Sequence, residues 1–208
     1  ELGQFDLIHM KRFLFIFILF SIAINYSQEK EDLFSLISEE QNQIELLPER
    51  MVFTQSLLWG KNGLFRKTGI SDLNIENREK DLRIRKNMLN AHQVIGYITL
   101  AFMVAQGIIG GKLYNGDESL RNTHKTMGNI VNIGYFTGAG LSLFAPPPLI
   151  NKKVKGFNSI KAHQILATIH FSAMVATNHF KDRNKDTHKA AAYTAFASYA
   201  TAVLVIKF

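Results

Sequence analysis

Ala91-His92-Gln93-Val94-Ile95 returns 71 residues later as Ala162-His163-Gln164-Ile165-Leu166, and Thr123-His124-Lys125 returns 64 residues later as Thr187-His188-Lys189. Each of the four histidines opens a long apolar segment, in the order A-B-A-B. That order predicts a tandem repeat of a two-helix hairpin. The segments cover about 88–113, 124–145, 159–180 and 187–208. Each is near the roughly 20 residues that cross a bilayer, and each interior lacks Asp, Glu, Lys and Arg. Short connectors make consecutive helices antiparallel. A soluble bundle would need polar stripes at helical spacing, and these segments offer only Gly, Ser, Thr, Asn, Gln and His. The expected fold is all-α: a membrane four-helix up-and-down bundle built as a tandem two-helix repeat, preceded by a signal segment and a small helical or irregular extramembrane region.

The bulk composition hides this division. The chain of 208 residues is 47% hydrophobic, and its mean hydropathy is zero because polar and apolar parts cancel. Cysteine is absent, which excludes disulfides, thiolate metal sites, iron–sulfur clusters and haem attached through C-x-x-C-H. The net charge of +7 comes mainly from Lys and Arg beside apolar segments, where lipid headgroups explain them better than nucleic acid does. The interleaving of basic and aromatic residues expected of a nucleic-acid binder is missing.

Met10-Lys11-Arg12, the apolar run Phe13 to Ile24 and the polar exit at Asn25, Ser27 and Gln28 have the pattern of a secretory signal peptide. An uncleaved signal anchor is the alternative, and Glu1 to His9 are set aside from the fold. The expected divisions are 1–28, the upstream residues and signal; 29–87, an extracytoplasmic or interfacial region; and 88–208, the four-helix bundle. Within 29–87, Leu57-Leu58-Trp59-Gly60 and Leu64-Phe65-Arg66-Lys67 suit either a membrane interface or a small cap. Basic residues divide equally between the two sides, so the signal segment alone sets the orientation, with 29–87 outside.

On that topology His92 and His163 open inward-running helices at the outer face, and His124 and His188 open outward-running helices at the inner face. An ionisable side chain repeated at one place in each membrane helix is costly unless something uses it. Two pairs of imidazoles from alternate helices suit bis-histidine ligation of b-type haem, one group at each side. Arg85, Lys86 and Lys161 near the outer pair, and Arg121, Lys125 and Lys189 near the inner pair, could meet anionic propionates. His170, seven residues beyond His163, is an alternative iron ligand or a polar group bonded to a neighbouring helix. His179 has an interfacial default. Small residues such as Gly96, Gly107, Gly110, Gly128, Gly134 and Gly138 allow either close packing or room for a flat cofactor.

Over about 88–208 these features resemble the cytochrome b561 family of membrane electron carriers. The resemblance implies one or two haem b groups, held by His92 with His163 and by His124 with His188, and single-electron relay across or within a membrane. It implies a transmembrane electron-transfer oxidoreductase with a quinol or other small donor. The expected location is integral to a membrane of the bacterial inner-membrane type. A homodimer or a larger membrane complex is a further partner to consider. Two other readings remain open: a haem-free structural or assembly subunit, with its binding surface in 29–87, and a His-lined metal transport protein.

Overall fold

The computed structural model describes residues 45–149 and 158–207, and every regular element among them is helical. The expected signal segment lies outside the described residues. Two short helices, α1 (Phe53–Trp59) and α2 (Leu64–Lys67), precede four long ones: α3 (Ile75–Tyr114), α4 (Arg121–Leu143), α5 (Ser159–Phe180) and α6 (Lys185–Lys207). A 3-10 turn, Glu118–Leu120, leads into α4.

Asparagine starts three of the long helices. Asn74 accepts from the Asn77 N–H and Asn158 from the Lys161 N–H, both at 2.8 Å. Asn184 accepts from the Asp186 and Thr187 N–H groups at 3.1 and 2.9 Å. Each side chain satisfies donors that a helix start leaves without partners. The 40-residue α3 carries straight through position 88, so the charged stretch 78–86 and the apolar stretch after it form one continuous rod. Proline ends α4, because Pro146-Pro147-Pro148 have no N–H to extend the ladder.

The long helices associate as two hairpins, α3 with α4 and α5 with α6, and α3 also packs on α6. Side chains close the remaining side. Asn132 of α4 and Asn178 of α5 exchange amide hydrogen bonds at 2.9 and 2.8 Å, and the Tyr135 hydroxyl meets His170 Nδ1 at 2.7 Å. The diagonals, α3 to α5 and α4 to α6, enclose the centre. Met103, Val131, Tyr135, Ala173, Met174 and Ala195 form the buried core, with Phe102, Phe171, Phe196 and Tyr199 against it. Among the described residues, α3 is the one helix both long and apolar enough to cross a membrane by length and mean hydropathy. Large apolar side chains nevertheless point outward on all four, including Ile98, Ile108, Ile133, Phe136, Ile169 and Leu204.

Residues 45–86 form a cap on the far end of α4. A helix leaves its last carbonyls without intrahelical donors; here Thr54 Oγ1 donates to Leu143 O, and Trp59 Nε1 to Phe144 O at 3.0 Å. Trp59 is buried and stacks edge-on against Phe65, so this stretch acts as a cap on protein rather than as an exposed headgroup anchor. The proline carbonyls are taken by arginine. Arg78 Nη2 reaches Pro147 O and Pro148 O at 3.2 and 3.3 Å, its Nε reaches Leu46 O at 2.6 Å, and Arg85 Nη1 reaches Pro146 O at 2.8 Å. Asp81, 1% exposed, balances the cluster by accepting from Arg66, Arg78 and Ser71.

Candidate functional site

Of the paired histidines, His92 lies well inside the long α3 rather than at its head, because the charged stretch before it is helical too, and His163 lies near the start of α5; their ring centres are 6.5 Å apart with planes at 88°. His124 and His188, near the starts of α4 and α6, also meet, at 6.2 Å and 83°. Both pairs span diagonals of the four-helix arrangement. Two imidazoles bound to opposite faces of one metal at about 2.0 Å, with each ring centre about 1.1 Å beyond its nitrogen, sit about 6 Å apart. Among the described residues no cluster of three or more His, Cys, Asp or Glu could enclose a bare metal ion. Ligands offered two at a time suit a metal whose remaining positions are already filled, as in a porphyrin.

The outer nitrogens identify the tautomers. His92 Nδ1 lies 2.8 Å from Gly138 O, His163 Nδ1 3.0 Å from Ala202 O, and His188 Nδ1 2.8 Å from Thr177 O. A carbonyl only accepts, so each Nδ1 carries the proton and each Nε2 keeps its lone pair. Metal-binding histidines show this pattern, because the outer bond fixes the ring and raises its basicity. His124 departs from it: its Nδ1 is buried without a partner, and its Nε2 lies 3.4 Å from Gln106 Nε2. An imidazole nitrogen orphaned in a protein interior is costly, and His124 is the one ring of the four whose outer bond is missing. The residues present fit b-type haem in donor set and spacing, and in tautomer at three of the four rings.

A single interval governs the arrangement. Gly138 follows His124 by 14 residues, Ala202 follows His188 by 14, and Thr177 follows His163 by 14. Fourteen residues are nearly four helical turns, so each helix returns the same face about 21 Å further along. Each carbonyl that holds a histidine of one pair therefore lies on the helix, and on the face, that supplies a histidine of the other pair.

The space between the pairs is aromatic. Tyr135 and Tyr199 each stand 11 residues beyond their helix's histidine, with ring centres 5.7 Å apart. His170 lies 5.6 Å from Tyr135 and 5.0 Å from Tyr199. The counterpart of His170 under the 71-residue repeat is Thr99, which is buried beside Tyr199. The hydroxyl of Tyr199 donates to Gly96 O at 3.3 Å. His170 is thus held by Tyr135 at mid-height, as the polar-group reading of this residue anticipates. The tyrosines escaped the sequence reasoning, although the 64-residue repeat relates them to each other.

The basic residues expected beside the pairs take different places. Lys86, Lys125 and Lys161 are exposed. Arg121 is ion-paired with Glu118, Nε to Oε2 at 2.9 Å. Lys189 Nζ stands 3.6 Å over the Tyr114 ring, whose hydroxyl donates to Asp186 at 2.8 Å. Arg85 is buried in the cap on the Pro146 carbonyl. His179 is exposed at the end of α5, with its Nε2 2.6 Å from Arg183 Nη1. No protein-family model, characterised protein or solved structure matches the chain.

Proposed function

We propose that this protein is an integral-membrane b-type cytochrome, similar in its core to cytochrome b561, that binds two haems and relays electrons between them. The observation that carries the reading is the ring-centre spacing of the histidine pairs, about what two imidazoles sharing one metal would have, with Nδ1–H hydrogen-bonded to a carbonyl in three of the four rings. When bound, haem supplies reversible one-electron exchange at its iron.

The chain's own residues do the rest. His92 and His163 hold the outer position and His124 and His188 the inner one. Gly138, Ala202 and Thr177 orient three of these rings through their carbonyls. Tyr135, Tyr199, His170 and Phe171 fill the region between the positions and exclude water, which favours outer-sphere electron movement with little solvent rearrangement. All four long helices cross the bilayer in this reading. Support comes from the lengths of α4, α5 and α6, 23, 22 and 23 residues, from charged residues confined to their ends, and from the large apolar side chains exposed on all four long helices. A quinol or another small reductant is the proposed donor.

The test is an absorbance spectrum of protein purified after expression with ample haem supply. We expect b-type Soret and α bands and two haems per chain, falling to one in His163→Ala and in His188→Ala. A colourless preparation overturns the proposal and favours the haem-free assembly subunit.

A further inference from the structure

The 14-residue interval assigns a partner to the one histidine that lacks a carbonyl. His92 donates to the residue 14 beyond His124 on α4, His163 to the residue 14 beyond His188 on α6, and His188 to the residue 14 beyond His163 on α5. By the same rule the partner of His124 is the residue 14 beyond His92 on α3, which is Gln106. The 71-residue repeat agrees, since Gln106 is the counterpart of Thr177.

Gln106 is already at the ring. Its Nε2 donates to the His124 carbonyl at 3.1 Å and lies 3.4 Å from His124 Nε2. One atom of each side chain is left buried and unsatisfied: Gln106 Oε1, an acceptor, and His124 Nδ1. One bond from Nδ1–H to Oε1 satisfies both and gives His124 the tautomer of the other three histidines. Forming it requires the ring and the amide to turn from their present positions, with the ring close against Gly110.

We infer that Gln106 is the positioning residue of the inner site: in the haem-bound protein its side-chain carbonyl accepts the Nδ1 proton of His124, the role that backbone carbonyls play for the other three ligands. This rests on the cytochrome reading above. The bond makes the imidazole a stronger electron donor, which favours ferric over ferrous iron and lowers the inner potential. Because the acceptor is a side chain, substitution can retune this site while leaving every ligand in place.

The experiment is potentiometric titration and low-spin EPR of the haem-loaded full chain, with inner and outer steps separated by repeating each measurement in the His163→Ala background. Gln106→Leu should raise the inner midpoint and shift the inner EPR signal, and Gln106→Glu, a stronger acceptor, should lower the midpoint. The outer step should stay put in both. Loss of the inner haem in Gln106→Leu together with a lowered midpoint in Gln106→Glu also supports the assignment. An inner midpoint unmoved in Gln106→Glu, or moved the same way in both variants, overturns it. Should the wild-type chain bind no haem, the cytochrome reading fails by itself. Nitrogen-15 NMR of the haem-free chain then tests the contact: His124 should be the Nδ1–H tautomer in wild type and a mixture in Gln106→Leu, and identical spectra overturn the assignment.

Discussion

A methyl group at position 110 would lie 2.8 Å from His124 Cε1, closer than carbon atoms tolerate, so the ring would have to leave its place. Gly110→Ala should therefore bring the haem-to-protein ratio from two toward one, with the outer position intact; retention of both groups would show that the ring has more freedom than its surroundings suggest. His170→Phe should behave differently. It removes the ring nitrogen that meets the Tyr135 hydroxyl at a cost of about 1–3 kcal/mol, read as a lower melting temperature, and keeps both haems. Loss of a haem would instead make His170 a ligand. The four paired histidines were legible from repetition alone, because an ionisable residue repeated at the start of apolar segments stands out. Gln106, Thr99 and the two tyrosines were equally encoded by the 71- and 64-residue offsets. They were not singled out because amides, hydroxyls and aromatic rings are ordinary inside helix bundles, and only their contacts separate them from packing.

At the level of helices, the cap depends on one guanidinium. Arg78 joins Leu46, Asp81, Pro147 and Pro148, a geometry that a planar fork can satisfy and a lysine cannot. Arg78→Ala leaves a buried carboxylate and proline carbonyls short of donors, and should cost about 3–5 kcal/mol. Arg78→Lys should recover little of it. Thermal unfolding of both variants checks this, and equal stability of Lys and wild type would count against the fork. Three of the long helices were legible to within a few residues: α5 spans 159–180, as its apolar segment predicts, and α4 and α6 begin only a few residues before their histidines, whereas α3 begins at Ile75, well ahead of the segment expected from about 88. The cap was not. Arg78, Asp81 and Arg85 have the composition of a solvated lead-in, and such residues are almost never fully buried unless paired. Their pairing depends on the distant run at 146–148, which no local periodicity reports.

For the molecule as a whole, the absence of cysteine gives a clean test of whether its two ends lie on opposite sides of a membrane, as the proposed function requires. Single cysteines at Lys61, in the cap, and at Ser119, between α3 and α4, both occupy exposed positions. In sealed vesicles an impermeant maleimide should label one and spare the other. Labelling of both from the same side would remove the transmembrane arrangement and the electron path across it.

The constant interval between each imidazole and the opposite holding point also sets what evolution may alter. Adding one residue inside any of those four stretches swings everything beyond it by about 100°, carrying a holding group off its ring, whereas the turns joining the rods can lengthen without penalty. Divergent kin of this chain should therefore vary freely in their connectors and conserve a fourteen-step ruler within the rods. A database search tuned to that metre, rather than to residue identity, is the way to find them.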